Sequence, residues 1–162
     1  MKTLIELFNL GMIRNYPDII PDKDGIVLNL GPGEKHIDGA IELEWPEWDA
    51  ECQAIPHDDN SVDMIHCYHF LEHIGNTHFI MSEIERVLKP GGHVNIVVPY
   101  YNSQLMSHDP DHKTPFCETT WKNIFCTARY VKNKVKPLHI HFNMIMGDCE
   151  KNLVLITQLV KV

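Results

Sequence analysis

Residues 26–33 read IVLNLGPG. An apolar run of the kind that forms a fully buried strand passes straight into a turn carrying Gly31 and Gly33. Such a junction lets an α/β fold bring its backbone close to a nucleotide, because any side chain larger than hydrogen blocks the approach. On its own the pattern also describes ordinary strand ends, so the neighbouring segments decide the reading.

Downstream, GAIELEW alternates apolar and acidic residues around Ile41 and Leu43 and reads as a second strand ending near Glu44. The intervening EKHID is too short for a crossover helix, so a turn is expected there. IPHDDNSVDMIHCYHFLEHI gives a loop, a third strand over Met64 to Cys67, and a helix opening near Glu72 with Ile80, Ile84 and Val87 on one side. That helix should stop at Lys89-Pro90-Gly91-Gly92, after which HVNIVVP forms a fourth strand. A loop from Tyr100 to Phe116, a helix around Thr119 to Thr127, and two β-rich runs, HIHFNMIM and NLVLITQLV, close the chain. Upstream, Leu4, Ile5, Leu7 and Phe8 have helical spacing. Strands alternating with helices, then a terminal hairpin, imply an α/β fold with a mostly parallel sheet and an antiparallel C-terminal hairpin.

The chain has 162 residues, which suits one domain spanning 1–162 with a single sizeable core. Its formal charge is -8, so no general attraction to phosphate backbones exists and nucleic acid is not an expected partner. Lys132, Lys134 and Lys136 read as a solvated loop. The five cysteines, Cys52, Cys67, Cys117, Cys126 and Cys149, include no CxxC pair and suit reduced thiols in the cytoplasm. No apolar run reaches the length of a membrane span, and no membrane partner is expected.

The successive blocks LNLGPG, IPHDDNSVDMI, FLEHI and ERVLKPGGHVNIVVP, in this order within residues 26–116, resemble the small class I S-adenosylmethionine (SAM)-dependent methyltransferases. The resemblance implies a Rossmann-like doubly wound sheet with SAM at the C-terminal ends of the first strands. In that arrangement Gly31, Pro32 and Gly33 pass under the methionine and ribose portions, with backbone N–H groups offered to the carboxylate. Glu44 takes both ribose hydroxyls, with Glu42 as its rival. Glu51 with Cys52 reads the adenine edge, unless the register slides to Asp49, and Ile55 with Pro56 gives that ring apolar surface. Tyr68 and His69 occupy the rim where the reactive methyl lies. Glu72 and His73 cap and orient the following helix. Two departures stand out: Asn29 replaces a common acidic residue, and the third glycine of the turn is missing. Asn29 still offers hydrogen bonds to the cofactor but not a negative charge.

SHDPDHKTPFCETTW resembles a DPxHxxxF segment that lies over the substrate pocket in some members, matched by Asp109, Pro110, His112 and Phe116. Methyl transfer to a hydroxyl or amine needs an aligned nucleophile and a destination for its proton. His112 is the candidate general base and Asp109 its orienter, with His69 as a further candidate. His108, Asp109 and His112, joined by His139 and His141, have the donors for a divalent metal, but Pro110 argues against a helix there. Surface or core histidines are the plainer reading, and no resident metal is expected. The expected activity is transfer of a methyl from SAM to oxygen or nitrogen of a small-molecule or glycan-type acceptor. Two alternatives stay open: a non-catalytic SAM- or nucleotide-binding partner protein, and a SAM-consuming lyase or hydrolase. Without the usual cap insertions, either the acceptor site is exposed or a second copy of the chain completes it as a homodimer.

Overall fold

A computed structural model describes residues 25–125, 138–147 and 152–162. The N-terminal helix, the Lys132–Lys136 loop, Cys126 and Cys149 lie outside them. Six strands form one sheet in the order β2-β1-β3-β4-β6-β5. They are β1 Val27–Leu30, β2 Ile41–Leu43, β3 Val62–Tyr68, β4 Leu88–Pro99, β5 Leu138–Met146 and β6 Val154–Lys161. The first four are mutually parallel, and β6 runs antiparallel to both β4 and β5. This is the mostly parallel sheet with a C-terminal hairpin that the alternation of segments implied, in the Rossmann-like form that the resemblance implied.

Among the described residues three helices accompany the sheet: α1 Thr77–Val87, the single turn α2 Gln104–Ser107 and α3 Glu118–Phe125. α1 holds its apolar stripe, Ile80, Met81, Ile84 and Val87, against the sheet with at most 2% exposure. Each such side chain contributes ~1.5–3 kcal/mol on burial, enough to stabilise a helix of 11 residues that would be marginal alone. Phe116 and Trp121 stack 5.2 Å apart in the same core. The opposite face has a smaller cluster of Ile37, Tyr68, Val97, Val154 and Ile156. Ile37 comes from the β1–β2 connection, which contains no helix, as the short EKHID segment predicted.

Two boundaries differ from the sequence reading. The helix expected to open near Glu72 is a 3₁₀ turn, Leu71–His73, followed by a break and then α1. The break exists because the backbone N–H groups of Gly75 and Asn76 donate to the Glu51 carboxylate, each at 2.8 Å, instead of continuing a helix. At the other end Leu88 already pairs with Val62, and pairing resumes at His93 with Met64, so Lys89–Gly92 bulges from the strand. Gly91, at φ 82°, makes that bulge possible. The C-terminus of α1 is closed from far along the chain: Lys161 Nζ donates to the Glu85 carbonyl at 2.6 Å and lies 3.2 Å from the Glu85 carboxylate.

Candidate active site

The C-terminal ends of β1, β2 and β3 converge on a cleft of about 410 Å³. Its walls include Gly31, Gly33, Glu44, Trp48, Asp49 and His69. Gly31 and Gly33 hold φ of 59° and 52°, the left-handed region that glycine enters without strain. A Cβ on Gly31 would run into the Phe70 ring, whereas one on Gly33 would meet open space. The backbone N–H groups are not offered to a ligand as expected: Gly31 donates to the Leu43 carbonyl at 2.9 Å and Gly33 to Glu44 Oε1 at 3.1 Å. The turn is thereby tied to β2, and Glu44 is held in the cleft wall.

The remaining cofactor candidates divide by position. Asn29 is buried and spends its amide on the Lys35 carbonyl at 2.9 Å, bracing the glycine turn from below. Pro32 is buried within that turn. Tyr68 ends β3 in the smaller core cluster, with its hydroxyl 2.8 Å from His66 Nδ1, and does not line the cleft. Ile55 is a core residue whose N–H donates to Glu83 at 2.9 Å. Glu51 turns away to Gly75, Asn76 and Lys113, and Cys52 hydrogen-bonds Asp49, so Asp49 is the acid of that segment that reaches the cleft. That carboxylate holds the exposed Cys52 thiol above its ordinary pKa.

Of the three catalytic candidates only His69 is on the cleft wall, with 42% of its side chain exposed. It has φ 53°, unusual for a non-glycine residue, and its N–H donates to the Val97 carbonyl at 2.8 Å. His112 lies behind His73, with 6% side-chain exposure and the two rings 4.7 Å apart. Its orienter is not Asp109, whose carboxylate is 3.7 Å from Nε2, beyond hydrogen-bond reach. The Met106 carbonyl, 3.0 Å from Nδ1, sets the ring instead. His139 and His141 stand exposed on β5, and His141, after burial, helps hold the His93 imidazole below its ordinary pKa.

Sequence reasoning assigned Trp48 no cofactor role and misjudged Glu72 and His73. Trp48 packs on Phe70 with ring centroids 6.3 Å apart and donates its indole N–H to the Ala54 carbonyl at 3.1 Å, giving the cleft a rigid aromatic wall. Glu72 is fully buried and His73 lines the cleft; the signal for both was an acid inside the apolar run HFLEHI. The residues present fit SAM: a carboxylate at the end of β2 for a diol, the aromatic face of Trp48 and apolar Ala50 and Ile74 for a purine, and open space over Gly33.

Residues 32–96 match the methyltransferase domain family. A 64-residue segment is 36% identical to sterol 4-C-methyltransferase strm-1 of Caenorhabditis elegans; it covers 40% of this chain and 18% of that protein. The chain thus spans less than a fifth of that relative's length. Among solved structures, a SAM-dependent methyltransferase from Archaeoglobus fulgidus has a TM-score of 0.59 at 18% identity, covering 94% of this chain and 93% of that one. A second, from Methanosarcina mazei, has a TM-score of 0.60 at 17% identity, with 93% and 97% covered. Matched block and architecture together identify this chain as having the class I SAM-dependent methyltransferase fold.

Proposed function

We propose that the protein transfers a methyl group from SAM to oxygen or nitrogen of a small-molecule or glycan-type acceptor. The observation that carries this reading is Glu44, held by Gly33 at the end of β2 and facing a cleft walled by Trp48. SAM supplies an electrophilic methyl on a sulfonium. Glu44 grips the ribose hydroxyls, Trp48 and Ile74 cover the purine and Asp49 accepts from its amino edge. A cleft of this volume, open at its rim, leaves the acceptor to enter beside His69. The His69 imidazole takes the acceptor's proton as the nucleophile attacks, a role suited to a ring nitrogen that carries a lone pair. The curated relative is named for a carbon of a sterol; an imidazole-lined rim favours a heteroatom that sheds a proton.

One observation favours the non-catalytic binding partner as a second reading: both glycine N–H groups are engaged within the protein, and Asn29 faces Lys35. Calorimetric titration of SAM and S-adenosylhomocysteine into wild type and Glu44→Ala comes first. Micromolar binding that collapses in the variant supports the cofactor assignment, and no binding of either ligand overturns it. Turnover in an acceptor panel then separates enzyme from binding partner, and SAM loss without acceptor indicates a lyase or hydrolase. A homodimer completing the open rim would appear as twice the monomer mass in sedimentation.

A further inference from the structure

We propose that Glu72, His73 and His112 bind a divalent first-row transition-metal ion at the acceptor end of the cleft. One ligand atom from each lies within 4.8 Å of the others, although the residues come from a 3₁₀ turn and a loop about forty positions apart. The independent observation is Glu72 itself. Its side chain is 0% exposed, and neither carboxylate oxygen has a hydrogen-bond partner among the described residues. His69 Nδ1 lies 3.3 Å from Oε1 but makes no hydrogen bond to it. An unsatisfied buried carboxylate is costly, and a bound cation is the direct way to satisfy it.

The imidazole of His112 is prepared for ligation. Its Nδ1 is paired with the Met106 carbonyl, so Nδ1 carries the proton and Nε2 presents its lone pair. The two segments are already clamped together: the N–H groups of Lys113 and Thr114 both donate to the Glu72 carbonyl, at 2.7 and 3.0 Å, and Thr114 Oγ1 donates to the Ile74 carbonyl at 2.8 Å. Bonds of ~2.1 Å in a tetrahedral shell put donors ~3.4 Å apart, so small side-chain rotations close the site. Two imidazoles and one carboxylate suit zinc, iron(II) or cobalt(II) better than magnesium or calcium. Three protein ligands leave coordination positions free, and His73 borders the cleft, where an oxygen donor of the acceptor can reach the ion. That last assignment rests on the methyltransferase reading; the metal site does not.

The test is titration of Co²⁺ and Zn²⁺ into chelator-stripped protein, read by calorimetry and by cobalt visible absorption, with circular dichroism confirming each variant's fold. One equivalent is expected, with affinity reduced by ~10–100-fold or more in the near-isosteric Glu72→Gln and in His112→Asn. Affinity should be unchanged in His139→Ala and His141→Ala. No saturable binding to folded wild type, or binding insensitive to Glu72→Gln and His112→Asn, overturns the site. SAM titration into the same stripped protein separates the two ideas: metal without SAM supports the site and sinks the methyltransferase reading, and SAM without metal does the reverse.

Discussion

Glu51 and Lys113 lie 62 positions apart in sequence and are joined by a 2.9 Å ion pair beside the cleft. The same carboxylate accepts from Gly75 and Asn76, so it fastens the loop before β3, the approach to α1 and the 109–114 loop at one point. Its pKa is held below the ordinary carboxylate value, first by the Gly75 N–H and then by Lys113.

Glu51→Ala is therefore expected to cost about 1–3 kcal/mol, read as a fall in chemical-denaturation midpoint. Because the folded pKa lies below the unfolded one, the contribution is complete above about pH 4.3 and disappears as the pH falls further. The wild-type and Glu51→Ala stability curves should converge in acid. Parallel curves would show that the carboxylate's charge contributes nothing.

The two turn glycines should respond differently to alanine. Gly31→Ala has both an unfavourable φ and a collision with Phe70, and is expected to lose about 2–4 kcal/mol. Gly33→Ala has only the backbone penalty, about 1–2 kcal/mol. Adding Phe70→Ala to Gly31→Ala should remove the steric part and leave the backbone part, which a double-mutant cycle measures.

His66 should make the fold acid-sensitive before the carboxylates do. Burial, then the positive charge of Lys35, pushes its pKa down to about 4, against roughly 6.5 in an unfolded chain. The unfolded state takes up the proton first, so stability falls as pH drops from roughly 6.5 towards 4, by up to ~3 kcal/mol. His66→Phe should flatten that limb of the curve; an unchanged slope between pH 6.5 and 5 would assign it to other groups.

For catalysis, His69→Asn should lower kcat by ~10²–10⁴-fold while leaving SAM affinity within a few-fold of wild type. A pH–rate profile that loses its acidic limb in the variant would identify His69 as the base. Equal losses in kcat and SAM affinity would make it a structural residue.

The sheet and its ligand-facing edge were legible because they depend on local pattern. Ile26–Leu30 is apolar except for Asn29, Gly31 and Gly33 follow at once, and Glu44 ends an alternating strand. The site's outer parts depend on which far-off group reaches a residue first, which spacing does not encode. Glu51 looked like an adenine reader until Gly75, Asn76 and Lys113 claimed it, leaving Asp49 at the wall. His112 was legible as a functional type but not by partner, since His73 and Glu72 arrive from another segment. Glu72, the fourth residue past β3, resembled a helix cap, but it sits buried in a 3₁₀ turn that breaks off before α1.

The position of β6 bears on the order in which the chain acquires structure. β4, at the middle of the sheet, has one edge satisfied by β3 and the other by β6, whose residues are the last of the described chain to be synthesised. Until they emerge, the backbone of Ile96, Val97 and Val98 has no partner on that side, and the last turn of α1 lacks Lys161. Folding is thus limited by long-range closure rather than by local helix formation, and a nascent chain halted before Val154 exposes an apolar strand edge of the kind that chaperones bind and aggregates recruit.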